Sequence, residues 1–136
     1  KADRDMMFAG EEVRIMDATQ FSALKDAETI LLNNEDYDVF GDGSVKIISA
    51  PGHTPGHQVL LVNLEEYGPV LLAGDLYHFP EEITTGRFPT FEFDPATSAV
   101  SREKIQQLLQ ETGAQMWIGH DKTIHSKLMF APAFYQ

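Results

Sequence analysis

The sequence has no cysteine in its 136 residues. That excludes disulfides, thiolate nucleophiles and thiolate metal ligands, and leaves the redox compartment open. Basic residues are scarce: 10 Lys and Arg stand against 21 Asp and Glu, for a formal net charge of −11. Nucleic-acid phosphates are bound by clustered Lys and Arg, so nucleic acid is an unsuitable partner, and an anionic membrane surface is disfavoured for the same reason. The acidic balance suits solubility, and it also creates a field that attracts cations. Long apolar runs are missing: Val59 to Val62 and Val70 to Ala73 stop far short of the roughly 20 residues a membrane-spanning helix needs. Repeats, low-complexity tracts and linkers are absent as well. Histidine is missing from the first 52 residues, and all five fall between His53 and His125.

What is present describes about one domain. A chain of this length hides roughly two-thirds of its unfolded surface, and a hydrophobic content of 43% is enough to do so. The chain opens on Lys1-Ala2-Asp3-Arg4-Asp5-Met6-Met7-Phe8, which reads as a helix already under way. Residues upstream are therefore expected to be missing. The lack of a leader then says little about location, which is read as the cytoplasm by default.

Thr19 is placed to cap a short helix over Gln20 to Glu28, with Phe21 and Leu24 on one face. Thr29 to Leu32 reads as a strand. Asp42-Gly43 is a hairpin-turn signal, followed by a strand over Val45 to Ser49. Gln58 to Asn63 and Val70 to Ala73 are β-rich runs joined by a turn at residues 65–69. Ile83 to Phe93 lacks periodicity and reads as a long loop. The clearest helix starts at Asp94-Pro95, carries Val100, Ile105, Leu108 and Leu109 as an apolar stripe, and ends at Gly113. Gln115 to Ile118 is a short strand, and the aromatic tail from Lys127 to Gln136 is expected to pack onto the body. Strands with interspersed helices indicate an α/β or α+β layered fold.

The chemistry lies where strand-like runs end. Pro51-Gly52-His53-Thr54-Pro55-Gly56-His57 surrounds two imidazoles with turn-forming residues. A neutral imidazole held at a fixed angle is a common zinc ligand, which makes His53 a candidate metal ligand. His57 opens the next strand and is given a structural or supporting role. Asp75 follows Val70-Leu71-Leu72-Ala73-Gly74, and a carboxylate emerging from a buried strand suits contact with one or two cations. His120 repeats the pattern after Met116-Trp117-Ile118-Gly119, and Asp121 either orients that imidazole or faces water. His125 reads as a surface residue.

The order P-G-H-T-P-G-H, then G-D, then G-H-D resembles the C-terminal half of the metallo-β-lactamase-fold hydrolases. Gly74-Asp75-Leu76-Tyr77-His78-Phe79 and Trp117-Ile118-Gly119-His120-Asp121 look most like the N-acyl-homoserine-lactone lactonase group. The resemblance covers residues 30–136, and more loosely the start. It implies an α/β chain forming the C-terminal half of an αβ/βα four-layer sandwich, with residues 1–136 as a partial domain. It also implies two divalent metal ions, zinc in most members, in the complete protein, and one or none in this chain alone. His53 would bind the first metal, Asp75 would bridge both, and His120 would bind the second. The remaining family ligands come from an upstream H-x-H-x-D-H motif, which this sequence does not contain. Zinc β-lactamases often carry Cys where this chain has Asp75, which disfavours that activity.

The implied activity is opening of a lactone or other ester ring by hydroxide activated on the metals. In the lactonases a Tyr three residues after the bridging Asp assists the developing oxyanion. Here His78 stands three residues after Asp75 and Tyr77 two after, so either is the candidate donor. Phe79, Phe88, Phe91 and Phe93 either line an apolar pocket for an acyl chain or pack in the core. Two other readings remain open. One is a thioesterase of the glyoxalase II type, which shares P-G-H-T-x-G-H. The other is a non-catalytic fragment that associates with itself or with a missing N-terminal half through an exposed sheet.

Overall fold

The computed structural model describes residues 1–8 and 21–136. Five strands, β1 (Tyr37–Asp38), β2 (Val45–Ser49), β3 (Gln58–Leu64), β4 (Gly68–Leu72) and β5 (Gln115–Trp117), form one sheet in sequence order. The first four are antiparallel neighbours, and β5 lies parallel to β4. A parallel neighbour needs a long crossover, and residues 73–114 supply it with α2 (Glu81–Thr85) and α3 (Pro95–Thr112). Two further short α-helices are α1 (Ala2–Met7) and α4 (Lys122–His125).

Strand pairing sorts the side chains into two faces, because residues directly opposite each other point the same way. Ile48 pairs with Val59, and Lys46 with Leu61 and then Leu71, on the face that meets α3. There Ile48, Val59, Leu61, Leu71 and Ala73 form one buried cluster with Ile105 and Ile118, and Leu108 and Leu109 pack against it. The opposite face carries the row Ile47, Leu60, Leu72 and Trp117. Leu72 is 39% exposed there although its strand is interior to the sheet. The tail covers one end of this face: the Tyr135 ring lies 4.7 Å from Tyr67 and 4.9 Å from Trp117, while Phe130 and Phe134 remain exposed.

The helix at Asp94 forms as its sequence predicts. The Asp94 carboxylate accepts from the Ala96 and Thr97 amides, Pro95 occupies the first position, and Gly113 ends it. Its buried side differs from the predicted stripe. Val100 is 68% exposed, whereas Ser98, Ser101 and Arg102 are buried. The first half of α3 lies against loop backbone, so polar side chains that bond to carbonyls are favoured there over apolar ones.

Three other expectations change. The helix over Gln20 to Glu28 shrinks to a single 3-10 turn, Ser22–Leu24, within its described part. Leu24 is 54% exposed, and so short a helix is not stable without a packed face. Thr29 to Leu32 pairs with no strand among the described residues, and only Leu32 is buried. The Ile83 to Phe93 loop begins inside α2, which ends at Thr85 with Gly86 as its C-cap. The expected cap Thr19 lies outside the described residues. No helix among the described residues is long and apolar enough to cross a membrane.

Candidate metal centre

His53 sits in the loop from β2 to β3, and that loop is fixed from both sides. On one side Asp3 of α1 accepts from the Thr54 hydroxyl and the Gly56 amide, each at 2.7 Å. On the other the loop rests on the start of α3. The Asp94 amide donates to the Gly52 carbonyl at 2.9 Å, and the Ser101 hydroxyl donates to the Pro51 carbonyl at 2.6 Å. Gly52 has φ +138°, and a Cβ added there would lie 2.1 Å from Ser98 Oγ and 2.4 Å from the Ser98 amide nitrogen. Only glycine lets the loop come this close.

His57 ties this loop to Asp75. Its Nδ1 lies 3.0 Å from the Ala50 carbonyl, and its Nε2 accepts from the Asp75 amide at 3.0 Å. An imidazole that accepts at Nε2 and meets a carbonyl at Nδ1 is neutral, with its proton on Nδ1. Burial holds its pKa below the ordinary histidine value, against the opposing pull of the Ala50 carbonyl. Gly74 makes room for the ring, since a Cβ there would lie 2.9 Å from His57 Nε2. The expected supporting role of His57 thus takes a definite form: it fixes the backbone from which Asp75 projects.

Three imidazoles face the Asp75 carboxylate. His120 Nε2 lies 2.8 Å from Oδ1, His53 Nε2 3.8 Å from Oδ2, and His78 Nε2 4.0 Å from Oδ1. Burial raises the Asp75 pKa, but the His120 hydrogen bond and the surrounding imidazoles outweigh it and hold the carboxyl below its usual value. Burial also lowers the His78 pKa, with Glu82 and Asp75 opposing. Potential ligand atoms of His53, Asp75 and His78 lie within 4.8 Å of one another. Imidazole with carboxylate is a donor set suited to zinc and similar divalent ions.

The supporting contacts fit a metal as well. The Glu92 side chain is 1% exposed, and its Oε2 lies 3.2 Å from His53 Nδ1. Its other oxygen accepts from the Ser98 hydroxyl. Metal-binding histidines commonly give their second nitrogen to such a carboxylate. His78 has a comparable neighbour in Glu82, whose Oε1 lies 3.7 Å from His78 Nδ1. Glu82 is held in turn by Arg102 Nη2 at 2.7 Å. The Arg102 guanidinium also donates to the Leu76 and Arg87 carbonyls and lies between the Tyr77 and Phe88 rings, 4.4 and 4.2 Å from their centroids.

His53, Asp75, His78 and His120 therefore come together, and Tyr77 does not join them. Tyr77 is 2% exposed in the core, and its hydroxyl accepts from Gln106 of α3. This corrects the expectation for Tyr77: the chain turns after Asp75 so that position 77 points inward and position 78 meets the centre. Asp121 neither orients His120 nor faces water; it is buried and caps α4 by accepting from the Thr123 amide. His78, Phe79, Phe88 and Phe91 share the lining of a cavity of about 370 Å³, while Phe93 stands outside it, 64% exposed. Glu82, Glu92 and Arg102 went unnoticed in the sequence. A signal existed for Arg102, which precedes Ile105 and Leu109 at helical spacing and so occupies a buried position. Glu92 carried none, because its role depends on a loop brought to it from 39 residues away.

No protein-family model matches the chain. The N-acyl homoserine lactonase AttM of Azorhizobium caulinodans is 35% identical over 99 residues, 73% of this chain and 38% of its own length. A solved N-acyl homoserine lactone hydrolase with N-hexanoyl-L-homoserine at its catalytic metal centre superposes with a TM-score of 0.65 at 29% identity, covering 74% of this chain and 39% of that one. The dizinc quorum-quenching lactonase AidC shares the fold with a TM-score of 0.52 at 22% identity, over 74% of this chain and 33% of its own. The chain thus spans about two-fifths of the length of the lactonase relatives it matches. Over the part it shares with them, the chain is similar in sequence and fold to N-acyl homoserine lactonases.

Proposed function

We propose that these residues are the C-terminal portion of a metal-dependent hydrolase that opens the ring of N-acyl homoserine lactones. The observation that carries this reading is the convergence of His53, Asp75 and His120, from three separate strand ends, in a chain related to lactonases. In this reading His53, Asp75 and His120 would hold two divalent ions, with Asp75 shared between them. The H-x-H-x-D-H ligands belong to a segment outside these residues. Zinc is the proposed metal, supported by the imidazole and carboxylate donors and by the description of AidC as a dizinc enzyme. When bound, the ions supply Lewis acidity, polarising an ester carbonyl and acidifying water.

The chain's own residues do the positioning. His57 fixes the Asp75 backbone, and Glu92 fixes the His53 ring. His78 is the candidate donor to a substrate oxygen, supported by its ring lying 5.4 Å from that of His53. The cavity beside His78, with Phe79, Phe88 and Phe91, suits an apolar acyl chain.

The test joins this chain to the segment of the Azorhizobium lactonase that precedes its matched part, loads the product with zinc, and offers lactone and thioester substrates side by side. The lactone should be opened, and Asp75→Asn should lower kcat/KM by about 10³ or more and reduce the zinc content. Thioester cleavage without lactone opening rejects the substrate class. A folded, zinc-loaded product that cleaves neither rejects the function.

A further inference from the structure

Each of two histidines at the centre turns Nε2 toward Asp75 and Nδ1 toward a carboxylate. For His53 that carboxylate is Glu92, at hydrogen-bond distance and almost fully buried. For His78 it is Glu82, 3.7 Å away, and His78 Nδ1 is buried without a hydrogen-bond partner among the described residues. Glu82 cannot drift off, because Arg102 clamps it at 2.7 Å and the His78 amide donates to it at 3.3 Å. The two Nε2 atoms lie 3.8 and 4.0 Å from opposite oxygens of the Asp75 carboxylate. At His53 this is the arrangement by which proteins select the tautomer of a ligating imidazole, and at His78 the carboxylate stands close enough to close into it.

His120 is built differently. Its side chain is 54% exposed against 11% for His78. Its side-chain hydrogen bond goes to Asp75 Oδ1, and among the described residues no second carboxylate is hydrogen-bonded to the ring. His120 also lies outside the group whose ligand atoms all fall within 4.8 Å of one another.

We propose that this 136-residue chain by itself holds one divalent cation through His53, Asp75 and His78, with His120 dispensable as a ligand. The resemblance to lactonases assigns His78 no metal, so the new element is His78 as the third ligand, positioned by Glu82 and Arg102. Tetrahedral zinc holds nitrogen donors at about 2.0–2.1 Å, which spaces donors about 3.4 Å apart. Separations of at most 4.8 Å close to that spacing by side-chain shifts on the order of 1 Å per ligand. Two imidazoles and a carboxylate leave a fourth position open, as in catalytic zinc sites. The inference rests on the metal-binding part of the function proposed above and not on its lactone part. An imidazole ligating through Nε2 has no proton there to donate, so the donor role of His78 is suspended in the one-ion chain.

The test is direct metal uptake by the 136-residue chain, read by calorimetry with Zn²⁺ and by the visible spectrum of Co²⁺. One ion per chain is expected. His78→Ala should weaken binding more than tenfold, and Glu82→Gln and Glu92→Gln by roughly 10-fold or more. His120→Ala should weaken it less than threefold. Far-UV circular dichroism checks the fold of each variant. Should His78→Ala not fold, the wild-type chain decides: the ¹⁵N resonance of His78 Nε2 should move on zinc addition. The proposal is overturned if the folded chain takes up no ion, if His120→Ala costs as much as His78→Ala, or if the His78 ring resonances stay fixed while zinc binds. Absence of lactone turnover by the one-ion chain leaves this site intact. Uptake that ignores His78 leaves the lactone reading intact.

Discussion

His53 and His57 are four residues apart in one loop and do different work because their nitrogens meet different partners. His53 keeps Nε2 toward Asp75, whereas both nitrogens of His57 are committed to backbone groups of Ala50 and Asp75. Protonating His57 would set an N–H against the Asp75 amide, a donor facing a donor. Its pKa is lowered by folding, so its contribution to stability is present above the unfolded value of 6.5 and is lost as pH falls below it. We expect the melting temperature of the metal-free chain to drop between about pH 7 and pH 5. His57→Gln, which cannot titrate, should be less stable at pH 7 and should flatten that slope. An unchanged slope in the variant would assign the pH dependence to other groups.

At the scale of elements, the N-terminal half of α3 acts as a platform for the loop that carries His53. Pro51 and Gly52 are bonded to Ser101 and Asp94, and Glu92, just before the helix, reaches His53. Gly52→Ala would drive a Cβ into Ser98 at a backbone angle that disfavours side chains. Overpacking and strained φ together should cost about 3 kcal/mol or more in a urea melt. Adding Ser98→Gly should restore little, because the Ser98 amide nitrogen and Cα still lie at 2.4 and 2.5 Å. Full recovery in the double variant would show that only the hydroxyl obstructs. The same platform explains why serines and an arginine replace the predicted apolar stripe: this half of α3 meets carbonyls, not the sheet.

At the scale of the molecule the decisive feature among the described residues is a sheet with α3 packed on one face. The row Ile47, Leu60, Leu72 and Trp117 is apolar, yet Leu72 is 39% exposed on an interior strand. An apolar face of this kind is where another layer packs. Alone, the chain should self-associate reversibly in sedimentation. The net charge of −11 opposes association, so added salt should strengthen it by screening. Leu72→Glu should shift the chain toward monomer at every salt concentration. A chain that stays monomeric at high salt would mean that the exposed row does not drive association.

The sequence by itself determined the positions of β2 to β5, the principal helix and the residue types at the candidate centre. Each of these follows from local rules: Asp94-Pro95 and Gly113 bound a helix through capping and backbone preference, and Pro51-Gly52 and Gly74 force turns next to His53 and Asp75. Periodicity found Ile105 and Leu109 for the same reason. Tertiary structure alone decided which of two adjacent donors meets the centre, because a one-residue difference in direction separates buried Tyr77 from His78. It alone brought Glu92 to His53 and Arg102 to Glu82 across 39 and 20 residues of chain. It also dissolved the strand expected at Thr29 to Leu32, since a strand exists only where a neighbour supplies its hydrogen bonds. Local chemistry fixes what each segment is able to become, while contacts between distant segments decide which option lowers the free energy of the folded chain.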